Sequence, residues 1–113
     1  MGTMNSEKDK IIELESTNDE QTIHLFYNEM VGLYMAYGLS AYYTTIVTDP
    51  QATYSDSMDM PVVILGKMEV LELRQSMTIV EHKSHRYYKF RLKNKIGRRW
   101  YQTWVSGIKK MTE

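Results

Sequence analysis

A chain of 113 residues with 42% hydrophobic and 25% charged residues is sized for one modest core. The absence of cysteine excludes disulfides and thiolate chemistry and fits a reducing, cytoplasmic setting. The longest unbroken aliphatic run, Val62–Leu65, is too short to span a membrane, and the N-terminus has no apolar signal segment.

The net charge of zero conceals an asymmetry. Residues 1–81 hold thirteen acids against Lys8, Lys10, Lys67 and Arg74, a net of −9. Residues 82–113 hold ten bases against Glu113 alone, a net of +9. Such a division implies either a one-signed binding surface or an internal electrostatic match.

In chain order, residues 1–16 are polar and charged, and are expected to form a flexible acidic tail ahead of a single α+β domain over 17–113. Thr17-Asn18-Asp19-Glu20 has the pattern of a capping box. A long helix is expected behind it, from about Asp19 to Tyr37, because Ile23, Phe26, Tyr27, Met30, Tyr34 and Tyr37 recur at spacings of three and four. Gly38 is placed to end it. If Leu33 and Met35 stay exposed, that helix offers a homodimer or partner interface. Ser40–Thr48 is rich in β-branched and aromatic residues and reads as a strand; Gln51–Asp59 reads as a polar loop. Residues 60–77 favour a second helix by length, while two strands turning at Gly66-Lys67 are the alternative. Thr78–Lys83, Arg86–Lys93 and Arg98–Val105 read as strands, the last two forming a hairpin through Asn94-Lys95-Ile96-Gly97.

Parity then divides that hairpin. A four-residue loop puts Tyr88, Phe90, Leu92, Tyr101, Thr103 and Val105 on one face, which suits a core. It puts Tyr87, Lys89, Arg91, Lys93, Arg98, Trp100 and Trp104 on the other, beside Gln102. Rings that stack bases, interleaved with cations that neutralise phosphates, are the means by which single-stranded nucleic acid is held. The competing reading is a solvated edge, or basic side chains paired with the acidic first part of the chain. An odd-length loop would turn both tryptophans inward.

Other constellations are weaker. Glu81-His82-Lys83 follows the apolar Thr78-Ile79-Val80. An apolar strand ending in Glu-x-Lys resembles one piece of the PD-(D/E)xK nuclease pattern, which implies a metal-holding acid and a water-activating lysine, with Asp59 or Glu69 as second ligand and Glu29 as the helix acid. That family's pattern expects a helix soon after the lysine, whereas this chain continues with strand-like Arg86–Leu92. His82 and His85 would point to opposite faces of a strand, and neither a nucleophile elbow nor a phosphate-cradling glycine loop is present. Asp56 and Asp59 lack calcium-loop spacing.

The expected architecture is therefore α+β, with a long N-terminal helix and a second helix on an antiparallel sheet that ends in a basic hairpin. The expected function is a non-enzymatic nucleic-acid-binding or accessory protein, without metal or cofactor, whose partner is single-stranded DNA or RNA. The alternatives are a protein-interaction module or regulator that meets an acidic partner, and the metal-dependent nuclease.

Overall fold

The computed structural model describes residues 7–83 and 86–112. Helix α1 (Glu7–Ser16) leads into strands β1 (Thr22–Asn28) and β2 (Leu33–Tyr37). Helix α2 (Gly38–Val47), strands β3 (Ala52–Ser55) and β4 (Met60–Leu65), helix α3 (Lys67–Ser76), strands β5 (Thr78–Lys83) and β6 (Tyr87–Arg91), and helix α4 (Tyr101–Thr112) follow. The strands form one six-stranded sheet in the order β3-β4-β2-β1-β6-β5, each neighbouring pair antiparallel. The class is α+β, as composition and pattern indicate.

Strand parity sorts the side chains. Ile23 and Leu25 of β1, Tyr34 and Ala36 of β2, Val63 and Leu65 of β4, and Tyr88 and Phe90 of β6 project to one face. There they meet Leu39, Ala41 and Tyr43 of α2 and Val70 and Leu73 of α3 in the main core. Aliphatic side chains buried in this way contribute about 1.5–3 kcal/mol each, which makes this layer the chief source of stability. The other face carries Thr22, His24, Phe26, Met35, Tyr37 and Tyr87, and α1 lies against part of it. Leu14 of α1 lines a recess with Thr22, His24 and Lys89, and Glu7 lines another with Phe26, Met35 and Tyr37.

Several expectations are corrected. The long helix over 19–37 is a β-hairpin, β1–β2, whose turn is closed by the Gly32 N–H donating to Asn28 O (2.8 Å). The expected capping box ends a helix rather than starting one. The Thr17 N–H and Oγ1–H both donate to Glu13 O (3.0 and 2.8 Å), finishing α1. Residues 7–16, expected as part of a tail, are that helix, with Ile11 and Glu15 buried on one side; residues 1–6 lie outside the described part. Ser40–Thr48 is helical. Its threonines satisfy their hydroxyls on the helix itself, Thr44 donating to Ser40 O (2.7 Å) and Thr45 to Tyr42 O (2.7 Å). Residues 60–77 divide into β4 and α3 at Gly66, whose N–H donates to the Glu69 carboxylate (2.9 Å). Gln51–Asp59 includes the short strand β3.

The junction of β2 with α2 needs a glycine. Gly38 has φ +57, and a Cβ placed there would lie 3.2 Å from Glu15 Cγ and 3.3 Å from Glu15 Cβ. With Glu15 buried against the start of α2, a side chain at 38 fits only if the Glu15 side chain gives by a few tenths of an ångström. Its carboxylate accepts from Ser40 N–H (2.9 Å), Ser40 Oγ–H (2.6 Å) and Asn18 Nδ2 (3.4 Å). Ser40 Oγ in turn accepts from the His24 N–H (2.9 Å), so one buried carboxylate ties α1 to α2 and, through Ser40, to β1.

Candidate nucleic-acid interface

The basic stretch does not fold as one hairpin. The final hairpin of the sheet is β5–β6, and β6 brings Lys89 and Arg91 to it. Residues 98–105, expected as the partner strand, turn into the first part of α4. The other neighbour of β6 is β1, with Ile23 opposite Phe90 and Leu25 opposite Tyr88. Helix α4 forms because Tyr101, Trp104, Val105 and Ile108 recur at helical spacing and supply one apolar side, half-buried or buried. Lys109 and Lys110 suit the negative end of its dipole.

The seven candidate residues are consequently dispersed. Tyr87, Lys89 and Arg91 alternate along β6 and share the face opposite the main core. Tyr87 OH and His24 Nδ1 share a 2.8 Å hydrogen bond, with the rings stacked at 6.1 Å, so Tyr87 is engaged internally. Lys89 borders the small recess with Asp19 and His24. Trp104 packs on Tyr42 (centroids 5.2 Å) and Tyr101 (6.1 Å) and belongs to the core margin. Lys93 is exposed on the connection to α4. Trp100 is 60% exposed, and the Arg99 guanidinium lies 5.2 Å from its ring centroid. The cation against Trp100 is therefore Arg99, while Arg91, expected on the same hairpin face as Trp100, pairs with Asp19.

Much of the basic charge is matched internally. Arg86 pairs with Glu29, Arg91 with Asp19 (3.4 Å), Lys95 with Glu20 (3.7 Å) and Arg98 with Glu20 (2.6 Å). The hydroxyl of Thr22, helped by the Gln21 N–H and the charges of Arg91 and Lys89, holds the Asp19 carboxyl below its ordinary range. Glu20 is the hub of this match. Its backbone adopts φ 68, and its carbonyl accepts from the N–H groups of Ile96 (3.1 Å) and Gly97 (3.4 Å). Glu20 therefore holds the 95–98 segment by main chain and side chain together. Arg98→Ala is expected to cost about 0.5–1 kcal/mol in denaturant unfolding at low salt and less at about 1 M salt, because a half-exposed pair is screened.

Among the described residues Lys89 of β6 is in no ion pair, and neither are four bases from residue 93 onward, Lys93, Arg99, Lys109 and Lys110. Lys109 sits 4.8 Å from the Tyr54 ring centroid. These four, with Trp100 and the outward Gln102, Thr103 and Ser106, make a basic surface along the start and outer side of α4. Arg99, Lys109 and Lys110 were not among the candidates. Their signal was the spacing 101, 104, 105, 108, which fixes the inner side of α4 and leaves Lys110 outward.

The nuclease constellation is not brought together among the described residues. Asp59 accepts from Tyr54 OH in the β3–β4 turn, Glu69 caps α3, and Glu29 pairs with Arg86. The side chains of Glu81 and Lys83 lie outside the described part. The chain proceeds from β5 directly to β6, where that pattern expects a helix. No group of three or more His, Asp or Glu side chains converges among the described residues. No described helix is long and apolar enough to cross a membrane. No family model, curated protein or solved structure matches the chain.

Proposed function

We propose that this is a non-enzymatic binding protein that holds single-stranded nucleic acid on the outer side of α4 and the connection before it. The observation that carries the reading is Trp100, a large ring left open to solvent with Arg99 against it and no acid near it in sequence. A base stacks on such a ring, with an arginine beside it, for about 1–3 kcal/mol. Lys93, Lys109 and Lys110 supply phosphate neutralisation along the same stretch. Of the residues first considered, Lys93 and Trp100 keep that role, while Arg91 and Arg98 are engaged by Asp19 and Glu20.

A fluorescence titration with an oligothymidylate across a salt series tests this. Affinity is expected to fall steeply as salt rises. Trp100→Ala and Arg99→Ala are each expected to weaken binding roughly tenfold, whereas Arg91→Ala leaves it nearly unchanged. Absence of binding at low salt, or equal loss on Arg91→Ala, removes the reading.

A second reading is supported by the opposite side of the sheet. Phe26, Asn28, Met35 and Tyr37 line an open groove of about 370 Å³, and Ile64, on the same face, is 45% exposed. A protein-interaction module would use this surface. It predicts a stoichiometric protein partner whose recovery is lost on Met35→Lys and kept on Trp100→Ala.

A further inference from the structure

Helix α3 brings two cations to a recess that the α4 surface does not share. Lys67 and Arg74 lie two turns apart on one stripe of α3, with Val70 and Leu71 between them. Together with Tyr34 of β2 and Tyr88 of β6 they line an open pocket of about 220 Å³. The Arg74 guanidinium stands 5.7 Å from the Tyr88 ring centroid. The Tyr34 and Tyr88 rings are 5.8 Å apart at 58°, with their hydroxyls hydrogen-bonded to one another at the pocket wall. No carboxylate pairs with Lys67 or Arg74 among the described residues. This contrasts with the Arg86, Arg91, Lys95 and Arg98 side chains, each of which meets an acid. Two unmatched cations beside phenolic hydroxyls make a pocket for an anion of more than one charge, and the exposed side of Leu71 offers apolar surface for a carbon group.

We propose that this pocket binds an organic phosphate monoester. The dianionic phosphate is held between Lys67 and Arg74, with the one phenolic O–H that the Tyr34–Tyr88 hydrogen bond leaves over as a further donor, and the ester group rests on Leu71. A planar guanidinium matches two phosphate oxygens at once, and the lysine adds a point charge. A carboxylate carries half the charge and matches the pair of cations less well. The pocket is made by α3, β2 and β6 and shares no residue with the nucleic-acid surface, so either assignment stands or falls without the other.

The test is a titration of the isotope-labelled, full-length protein with phenyl phosphate, followed by amide chemical shifts. Inorganic phosphate, phenylacetate and phenol serve as comparators. The expected result is a saturable shift of the 66–74 and 87–89 amides, tightest for phenyl phosphate, weaker for inorganic phosphate and phenylacetate, and absent for phenol. Arg74→Gln and Lys67→Gln are each expected to weaken phenyl phosphate roughly tenfold, with Arg74→Lys intermediate, since each variant removes or blunts a charge-assisted contact. Both side chains are exposed, and an unchanged circular dichroism spectrum separates lost binding from lost fold. Three results overturn the proposal. One is no shift in the millimolar range. Another is an equal response to inorganic phosphate that Arg74→Gln leaves intact, which marks an adventitious ion only. The third is a response confined to 99–110.

Discussion

Replacing Glu15 with glutamine is expected to stabilise the protein at pH 8 and to flatten its stability between pH 4.5 and 7. Burial pushes the Glu15 carboxyl up from its ordinary 4.5 to about 7, only partly offset by the hydrogen bonds from the Ser40 side chain and backbone and from Asn18. Among the described residues no cation pairs with it, so the charged form is desolvated without a partner charge. The folded state therefore binds its proton more tightly than the unfolded chain does. Stability from this group is fully present below pH 4.5, falls as the unfolded chain loses its proton first, and is gone once pH passes about 7. The span is worth roughly 3 kcal/mol at about 1.4 kcal/mol per pH unit. Glutamine keeps an acceptor for the Ser40 N–H and carries no charge at any pH. Paired denaturant melts of the two proteins from pH 4.5 to 8.5 isolate the effect, because every other titrating group is common to both. A constant difference over that range would falsify the assignment.

Gly38→Ala is expected to lower stability by roughly 2–4 kcal/mol, with the midpoint of thermal unfolding falling by ten degrees or more. The left-handed backbone at φ +57 penalises any side chain, and the added Cβ lies 3.2 Å from the Glu15 Cγ, which is itself fixed between α1 and Ser40. The same substitution at Gly107 has the opposite sign. A Cβ there meets nothing within 4 Å, and the residue lies inside α4, so Gly107→Ala is expected to gain about 0.5–1 kcal/mol from helix propensity. Equal effects at the two positions would show that glycine content, and not the crowded junction, sets the outcome.

Why the chain misleads as a sequence follows from how its sheet is covered. A sheet with one wet face alternates polar and apolar residues, and that alternation is what a strand announces. Here α1 lies against part of the second face, so Phe26, Met35 and Tyr37 are apolar although they point away from the main core. The alternation of Ile23 and Leu25 with polar neighbours is erased beyond His24. What survives is a set of apolar spacings of three and four that imitates a helix. In α2 the misdirection is compositional, since β-branched Thr44, Thr45, Ile46 and Val47 favour strands on average. Their hydroxyls bond within the helix, and Leu39, Tyr43 and Thr44 are buried. In α4 the helical spacing was present, and the aromatic run Trp100-Tyr101 drew a strand that stopped at Val105 and left Ile108 unexplained. Strands β5 and β6 were legible because their β-branched and aromatic runs are short and bounded. The candidate surface was legible in its charge and in Trp100. The pairing of Arg91 and Arg98 was not, because Asp19 and Glu20 lie more than seventy residues away along the chain.

The strand order has a consequence for how this chain is made. Strand β1 sits near the middle of the sheet, flanked by β2 on one side and β6 on the other. Its first neighbour is complete by Tyr37, and its second only at Arg91. At synthesis rates of about 5–20 residues per second, an emerging chain spends about 3–10 s with one long side of β1 unsatisfied. During that interval Ile23 and Leu25 have no Phe90 or Tyr88 to cover them. The pairing that closes the sheet spans more than sixty residues, which places the molecule among slow folders governed by distant contacts. A nascent chain halted before β6 is therefore a template for unwanted strand pairing, and completion of the last strand is the step that ends its exposure to aggregation.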